Sequence, residues 1–193
     1  WELAERSDSH AVLEFVYKPS TNAEMAKFPH RFTSKLEVNF GEELHLVLSM
    51  KNTDDEAFYV DEALHSYFNV SDVREIFIHG LDGANELDTV RDTQGIHEGP
   101  LSFTKGRVDS IFDTSNGAII EDPGFKRRII IEKEHSASTI VWNPAESKAA
   151  DMHHEDWKHF VCVEAGNVRR NALLLRPGQS HWMSLTIKVE ELA

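Results

Sequence analysis

The chain of 193 residues contains a single cysteine, Cys162. One thiol cannot close an intrachain disulfide, and it cannot build a zinc site on two or more thiolates. Such sparing use of cysteine fits a reducing compartment, and a cytoplasmic location is expected. Basic residues are also scarce: 20 Lys and Arg stand against 33 Asp and Glu, for a net charge of −13. A nucleic-acid partner would need a basic field to neutralise its phosphates, so the balance argues against one. It argues also against docking on anionic membranes. No run approaches the ~20 apolar residues of a membrane-spanning helix. The opening Trp1-Glu2-Leu3-Ala4-Glu5-Arg6 is acidic where a secretory signal would be basic. Gly-rich phosphate loops and a G-x-S-x-G nucleophile are absent. So is almost any helical periodicity.

What is present is period-two alternation. Phe32, Leu36, Val38 and Phe40 share one parity, while Arg31, Lys35, Glu37 and Asn39 share the other. That is a half-buried strand. Gly41-Glu42-Glu43 reads as a turn into a hairpin partner over Leu44 to Met50. His181, Met183, Leu185, Ile187 and Val189 alternate in the same way. Shorter strands are expected over Ala11–Tyr17, Glu56–Val60, Glu75–His79, Val108–Phe112, Arg128–Glu132, Thr139–Trp142 and Phe160–Val163. Turn signals such as Asp122-Pro123-Gly124 separate them. Many short strands predict an all-β fold, a large antiparallel β-sandwich formed by residues 1–193 as one domain. One short helix is expected within Ala145–His159, and the first ten residues read as a loop.

Four segments could carry chemistry. In Asp61-Glu62-Ala63-Leu64-His65-Ser66-Tyr67-Phe68, an imidazole lies among apolar and aromatic neighbours. His65 shares a strand face with Ala63 and Tyr67, and it is either a general acid or a core histidine satisfied by backbone. In Phe160-Val161-Cys162-Val163-Glu164, a carboxylate ends an apolar run. Desolvation there would make Glu164 a better base; the alternative is a strand-end Glu that reaches solvent. Trp142 with Asn143-Pro144 suits a sugar, whose C–H face stacks on a ring while an amide bonds its hydroxyls. The alternative is a core Trp with a turn. His153, His154 and His159 lack metal-ligand spacing and read as a solvated polar segment.

These segments resemble the hexose-6-phosphate 1-epimerases, relatives of galactose mutarotase. The E-A-L-H-x-Y-F pattern falls on Glu62–Phe68 and the G-L-x-G turn on Gly80–Gly83. V-W-N-P falls on Val141–Pro144, followed by Lys148-Ala149 and Met152. C-V-E falls on Cys162–Glu164 and L-x-P-G-x-S on Leu175–Ser180. The five blocks run in the family's order. The resemblance implies a sandwich of galactose mutarotase type and interconversion of the α and β anomers of a hexose 6-phosphate. It implies His65 as acid, Glu164 as base, and Asp109, Trp142 and Asn143 as substrate-binding residues. No cofactor and no metal are required by that chemistry.

The family pattern also has departures here. Ser110 stands in place of an Arg, Thr89 of a Lys, Glu86 of an aromatic and Ala145 of a Trp. Family members carry a further N-terminal stretch that supplies phosphate-binding arginines. The chain, which opens without Met, is therefore expected to be roughly the C-terminal two-thirds of the family domain, lacking N-terminal strands. Arg74, Arg91, Arg107 and Arg169 are the candidate anion partners that remain. Self-association of such a chain is expected, since it would expose sheet edges and core surface. A non-catalytic carbohydrate-binding or interaction module is the alternative function.

Overall fold

The computed structural model describes residues 1–19, 28–146, 153 and 155–192. The chain runs through β1 (Glu2–Arg6), β2 (His10–Tyr17), β3 (Phe32–Phe40), β4 (Leu44–Asn52), β5 (Phe58–Val60) and β6 (Glu62–Leu64). It continues with β7 (Tyr67–Asn69), β8 (Phe77–His79), β9 (Asn85–Asp88), β10 (Thr93–Ile96), β11 (Val108–Asp113) and β12 (Ala118–Asp122). The last strands are β13 (Arg127–Glu134), β14 (Ser138–Asn143), β15 (Phe160–Asn167), β16 (Leu173–Leu175) and β17 (Ser180–Glu191).

Eight strands form one antiparallel sheet in the order β1-β2-β3-β4-β17-β13-β12-β8. A second sheet runs β10-β9-β11-β14-β15-β6, with β7 also pairing β15. Strands β5 and β16 form a small pair of their own. The all-β antiparallel sandwich expected from the alternation is what the chain forms.

The core lies between the two large sheets. Phe112, Val141, Val161 and Val163 from the second sheet meet Ile78, Ile120, Ile129, Ile131 and Leu185 from the first. The alternation explains this directly. In β11, Val108, Ser110 and Phe112 are buried while Asp109, Ile111 and Asp113 point to the other face. Burial of such side chains stabilises by ~1.5–3 kcal/mol each, which outweighs the weak strand preference of any single residue.

Two expectations need correction. The opening residues are not a loop: Glu2–Arg6 pairs with β2, Leu3 opposite Leu13 and Arg6 opposite Ala11. Backbone pairing overrides a polar, irregular pattern at a sheet edge. The expected helix in Ala145–His159 is, among the described residues, one 3₁₀ turn over Asp156–His159. Phe160 follows in an extended conformation and enters β15, and the Asn143 amide donates to the carbonyls of Trp157 and Phe160, so the turn cannot lengthen there. Residues 147–152 and 154, including Lys148, Ala149 and Met152 of the resemblance, lie outside the described residues. Among those described, no helix is long and apolar enough to cross a membrane.

The half of the first sheet built by β1–β4 is different in character. Leu13, Leu36 and Leu48 sit in cross-strand register with buried Met183, yet all three are only half-buried. Trp1 and Leu3 on the edge strand are exposed. Among the described residues β1 has a neighbour on one side only, and such an edge beside a half-covered apolar face favours pairing with a second copy. Light scattering on the chain at high concentration is expected to show species larger than the monomer; a clean monomer would contradict this.

One glycine is required by both conformation and space. Gly80 has φ +92°, and a Cβ there would lie 2.5 Å from the Gly117 carbonyl oxygen at the start of β12. Gly80→Ala is expected to destabilise the fold by about 1–3 kcal/mol, measured by denaturant melts.

Candidate active site

The outer face of the second sheet carries the site. Leu64 pairs with Ala165 and Tyr67 with Cys162, so the register of β6 and β7 against β15 continues across the gap between them. His65 therefore faces Glu164 directly. Residues opposite each other in a sheet project to the same side. His65 Nε2 lies 3.3 Å from Glu164 Oε1. The imidazole is half exposed, whereas the carboxylate side chain is only 7% exposed.

The two strands are fixed from behind by a second carboxylate. Glu62 and Asn167 pair at the other end of the β6–β15 register and point to the opposite face, three residues from His65 and Glu164. Glu62 Oε1 accepts from Asn167 Nδ2 at 2.9 Å and lies 3.0 Å from His181 Nε2 on β17. Burial pushes the Glu62 carboxyl upward, while Asn167 and His181 oppose that shift. This cluster ties the first sheet to the strand that carries His65.

Loss of water pushes the Glu164 carboxyl up to about 7, and the nearby negative Asp109 adds to the effect. Asp109 stands on β11 opposite Trp142 on β14, which in turn stands opposite Cys162. Thr89 holds the Asp109 segment in place, donating from both its amide and its hydroxyl to the Asp109 carbonyl. Arg107 donates to the Asp109 carboxylate at 2.8 Å.

Aromatic rings enclose the pair. The His65 and Tyr67 rings stack at 4.8 Å with 10° between their planes. The Trp142 ring meets both edge-on at 6.4 Å. Such a cup offers apolar faces beside polar groups, which is the surface a pyranose presents in reverse.

The structure thus brings together four of the five residues expected from the sequence: His65, Glu164, Asp109 and Trp142. Asn143 is not with them. It follows Trp142 by one residue and so turns to the other face, where it is buried. Its amide nitrogen is used on Trp157 and Phe160, and its oxygen accepts from the Ala145 amide. It is a clasp beneath the site, with both side-chain atoms engaged by backbone. Neither Tyr67 nor Cys162 was given a role in the site from the sequence, and Arg107 was expected there only as an anion partner. Tyr67 and Cys162 lie two residues from His65 and Glu164, so the same-face rule would have found them.

Two departures from the family pattern prove to be neighbours. Ser110 Oγ donates to Glu86 Oε1 at 2.7 Å, and Glu86 Oε2 lies 2.9 Å from His97 Nδ1. Ser110 faces the core side, opposite to Asp109, so the exchange leaves the cup itself unaltered. Of the candidate anion partners, Arg74 pairs with Asp72, Arg91 with Asp88 and Arg107 with Asp109. The Arg169 backbone amide donates to Asp61. His153 is exposed and His159 bonds the Ser71 carbonyl; His154 lies outside the described residues.

The comparisons with known proteins agree with this fold. The fold resembles a crystal structure of a "putative mutarotase" from Salmonella typhimurium, with a TM-score of 0.83 and 26% identity, over 99% of this chain and 65% of that one. The fold is that of a galactose mutarotase-like sandwich protein. Residues 1–188 match the family model described as aldose 1-epimerase, and the chain belongs to that family. It is 29% identical over 178 residues to a protein named "Putative glucose-6-phosphate 1-epimerase" from Cenchrus ciliaris, over 88% of this chain and 54% of that protein. A protein of the same name from Escherichia coli K12 is 26% identical over 94% of this chain and 62% of its own length. The chain therefore spans little more than half the length of these relatives.

Because the folded Glu164 carboxyl titrates above its ordinary value of 4.5, the native state holds its proton more tightly than the unfolded chain does. Its contribution to stability is present at low pH and is lost as pH rises toward about 7. Glu164→Gln removes the charge without changing the shape. The variant is expected to melt at a higher temperature than the parent at pH 8 and at nearly the same temperature at pH 5. Equal melting temperatures at pH 8 would show that the carboxylate is not desolvated.

Proposed function

We propose that this chain is the acid–base portion of an aldose 1-epimerase that interconverts the α and β anomers of a hexose 6-phosphate. The single observation that carries the reading is the 3.3 Å contact between half-exposed His65 and buried Glu164. The exocyclic and ring oxygens of a cyclic sugar are both bonded to C1. Acid and base must therefore reach neighbouring atoms, and these two side chains converge on one point.

Glu164 takes the proton from the C1 hydroxyl while His65 protonates the ring oxygen. The C1–O5 bond breaks, and the open-chain aldehyde turns about C1–C2. O5 then adds to the opposite face, with His65 now accepting the O5 proton and Glu164 returning a proton to O1. A carboxyl pushed to about 7 is a stronger base than an ordinary glutamate, and near neutral pH it still spends much of its time ionised. Asp109 accepts from sugar hydroxyls, and Trp142 with Tyr67 supports the ring. The names of the relatives support a 6-phosphate, and so does Arg107. It lines a cavity of about 550 Å³ shared with Arg74 and Trp157, next to the end of β14.

His65→Ala and Glu164→Gln are each expected to slow the equilibration of freshly dissolved α-glucose 6-phosphate by ~10²–10⁴-fold. Polarimetry or anomeric proton NMR measures this, and parent-like rates in both variants would refute the assignment. The rate is expected to fall below about pH 7 as Glu164 protonates. Binding of the sugar phosphate with no acceleration at any pH would favour a carbohydrate-binding module.

A further inference from the structure

The floor of the cup holds a group that the proposed reaction does not use. Cys162 is buried between Trp142 and Tyr67, its cross-strand partners on β14 and β7. It precedes Glu164 by two residues and so points to the same face. Its sulfur, one ring nitrogen of His65 and one carboxylate oxygen of Glu164 all lie within 4.8 Å of one another.

This donor set has the composition of an open zinc site, in which three protein ligands leave a fourth position free. Zinc bonds of about 2.0 Å to nitrogen and oxygen and about 2.3 Å to sulfur place the donors of such a set ~3.3–3.5 Å apart. The His65–Glu164 contact is already at 3.3 Å. The other separations need to close by at most ~1.3 Å to meet that geometry. His65 can supply the movement for its own two contacts, because its side chain is half exposed and stands in the gap between β6 and β7, while the Cys162–Glu164 separation closes by side-chain rotation on β15. Magnesium and calcium favour all-oxygen sets, so they fit poorly with one nitrogen and one sulfur.

We propose that this face is a binding site for a zinc-class divalent cation, held by His65, Cys162 and Glu164 with the fourth position open. Coordination displaces the thiol proton to solvent and forms a metal–thiolate bond. It also occupies the imidazole lone pair and a carboxylate oxygen. The ion is thus an inhibitor that removes acid and base together. That consequence rests on the acid–base reading; the binding itself does not.

Cobalt(II) is the probe, because a cobalt–thiolate bond gives a near-ultraviolet charge-transfer band and tetrahedral cobalt gives strong visible bands. Titration of the chain with Co²⁺ is expected to produce both sets saturably, and Zn²⁺ to bleach them. Cys162→Ser and Cys162→Ala should abolish the charge-transfer band. His65→Gln and Glu164→Gln should each weaken uptake by at least about tenfold, the minimum for loss of a direct ligand. Circular dichroism confirms that each variant is folded. If both cysteine variants unfold, the two remaining variants decide. Absence of the bands, their persistence without Cys162, or uptake unchanged by His65→Gln and Glu164→Gln would overturn the proposal. Bands in a chain that never accelerates mutarotation would leave the metal site standing and remove the catalytic reading. An active chain without bands would do the reverse.

Discussion

A carboxylate kept from water has to find its stabilisation elsewhere or take up a proton. Glu164 is held in that position. It follows the buried Val161-Cys162-Val163 segment and lies almost fully buried beneath a histidine, with another negative group nearby. The proposed chemistry depends on the tension between these facts. A fully solvated glutamate would be too weak a base near neutrality, and one deeply buried without a partner would stay protonated. The sandwich maintains the compromise by burying one face of β15 in the core and leaving the other beneath a cup of aromatic rings.

The opposite faces of the same strands explain why the geometry holds. Glu62 and Asn167 use the core side of β6 and β15 to join His181 in the other sheet, while His65 and Glu164 use the outer side. One pair therefore fixes the strand register that the other pair needs. Asn143 acts in the same way beneath Trp142. Asn143 and Asn167 are buried with their amides hydrogen-bonded, which favours one arrangement of the strands over slipped alternatives.

Alternation made much of this legible in the sequence. The long strands β3, β4 and β17 could be read because one face of each is apolar and the other polar. The site pairs His65 and Glu164 could be named because each interrupts an apolar or aromatic run. What could not be read has a common physical cause. β1, β9 and β10 are polar or edge strands whose pairing comes from backbone hydrogen bonds, and those leave no hydrophobic signature. The expected helix rested on residue preference alone, and among the described residues the 3₁₀ turn ahead of β15 is what answers to it. Asn143 was assigned to the sugar because it adjoins Trp142, although adjacency in a strand means opposite faces. The contact between Ser110 and Glu86 joins positions 24 apart in sequence, which only the β9–β11 pairing brings together.

The break between β6 and β7 has a mechanical consequence. β15 is continuous along its length, so the group it carries is mounted on a stiff support. Its counterpart sits on two residues that are not part of the flanking ladder, although the pairing on either side stays in step. An incoming ring can therefore push one jaw of the clamp aside without disturbing the other. If the proposed reaction holds, the two jaws differ in stiffness, and a ring of slightly different width would displace the histidine without any strand having to shift.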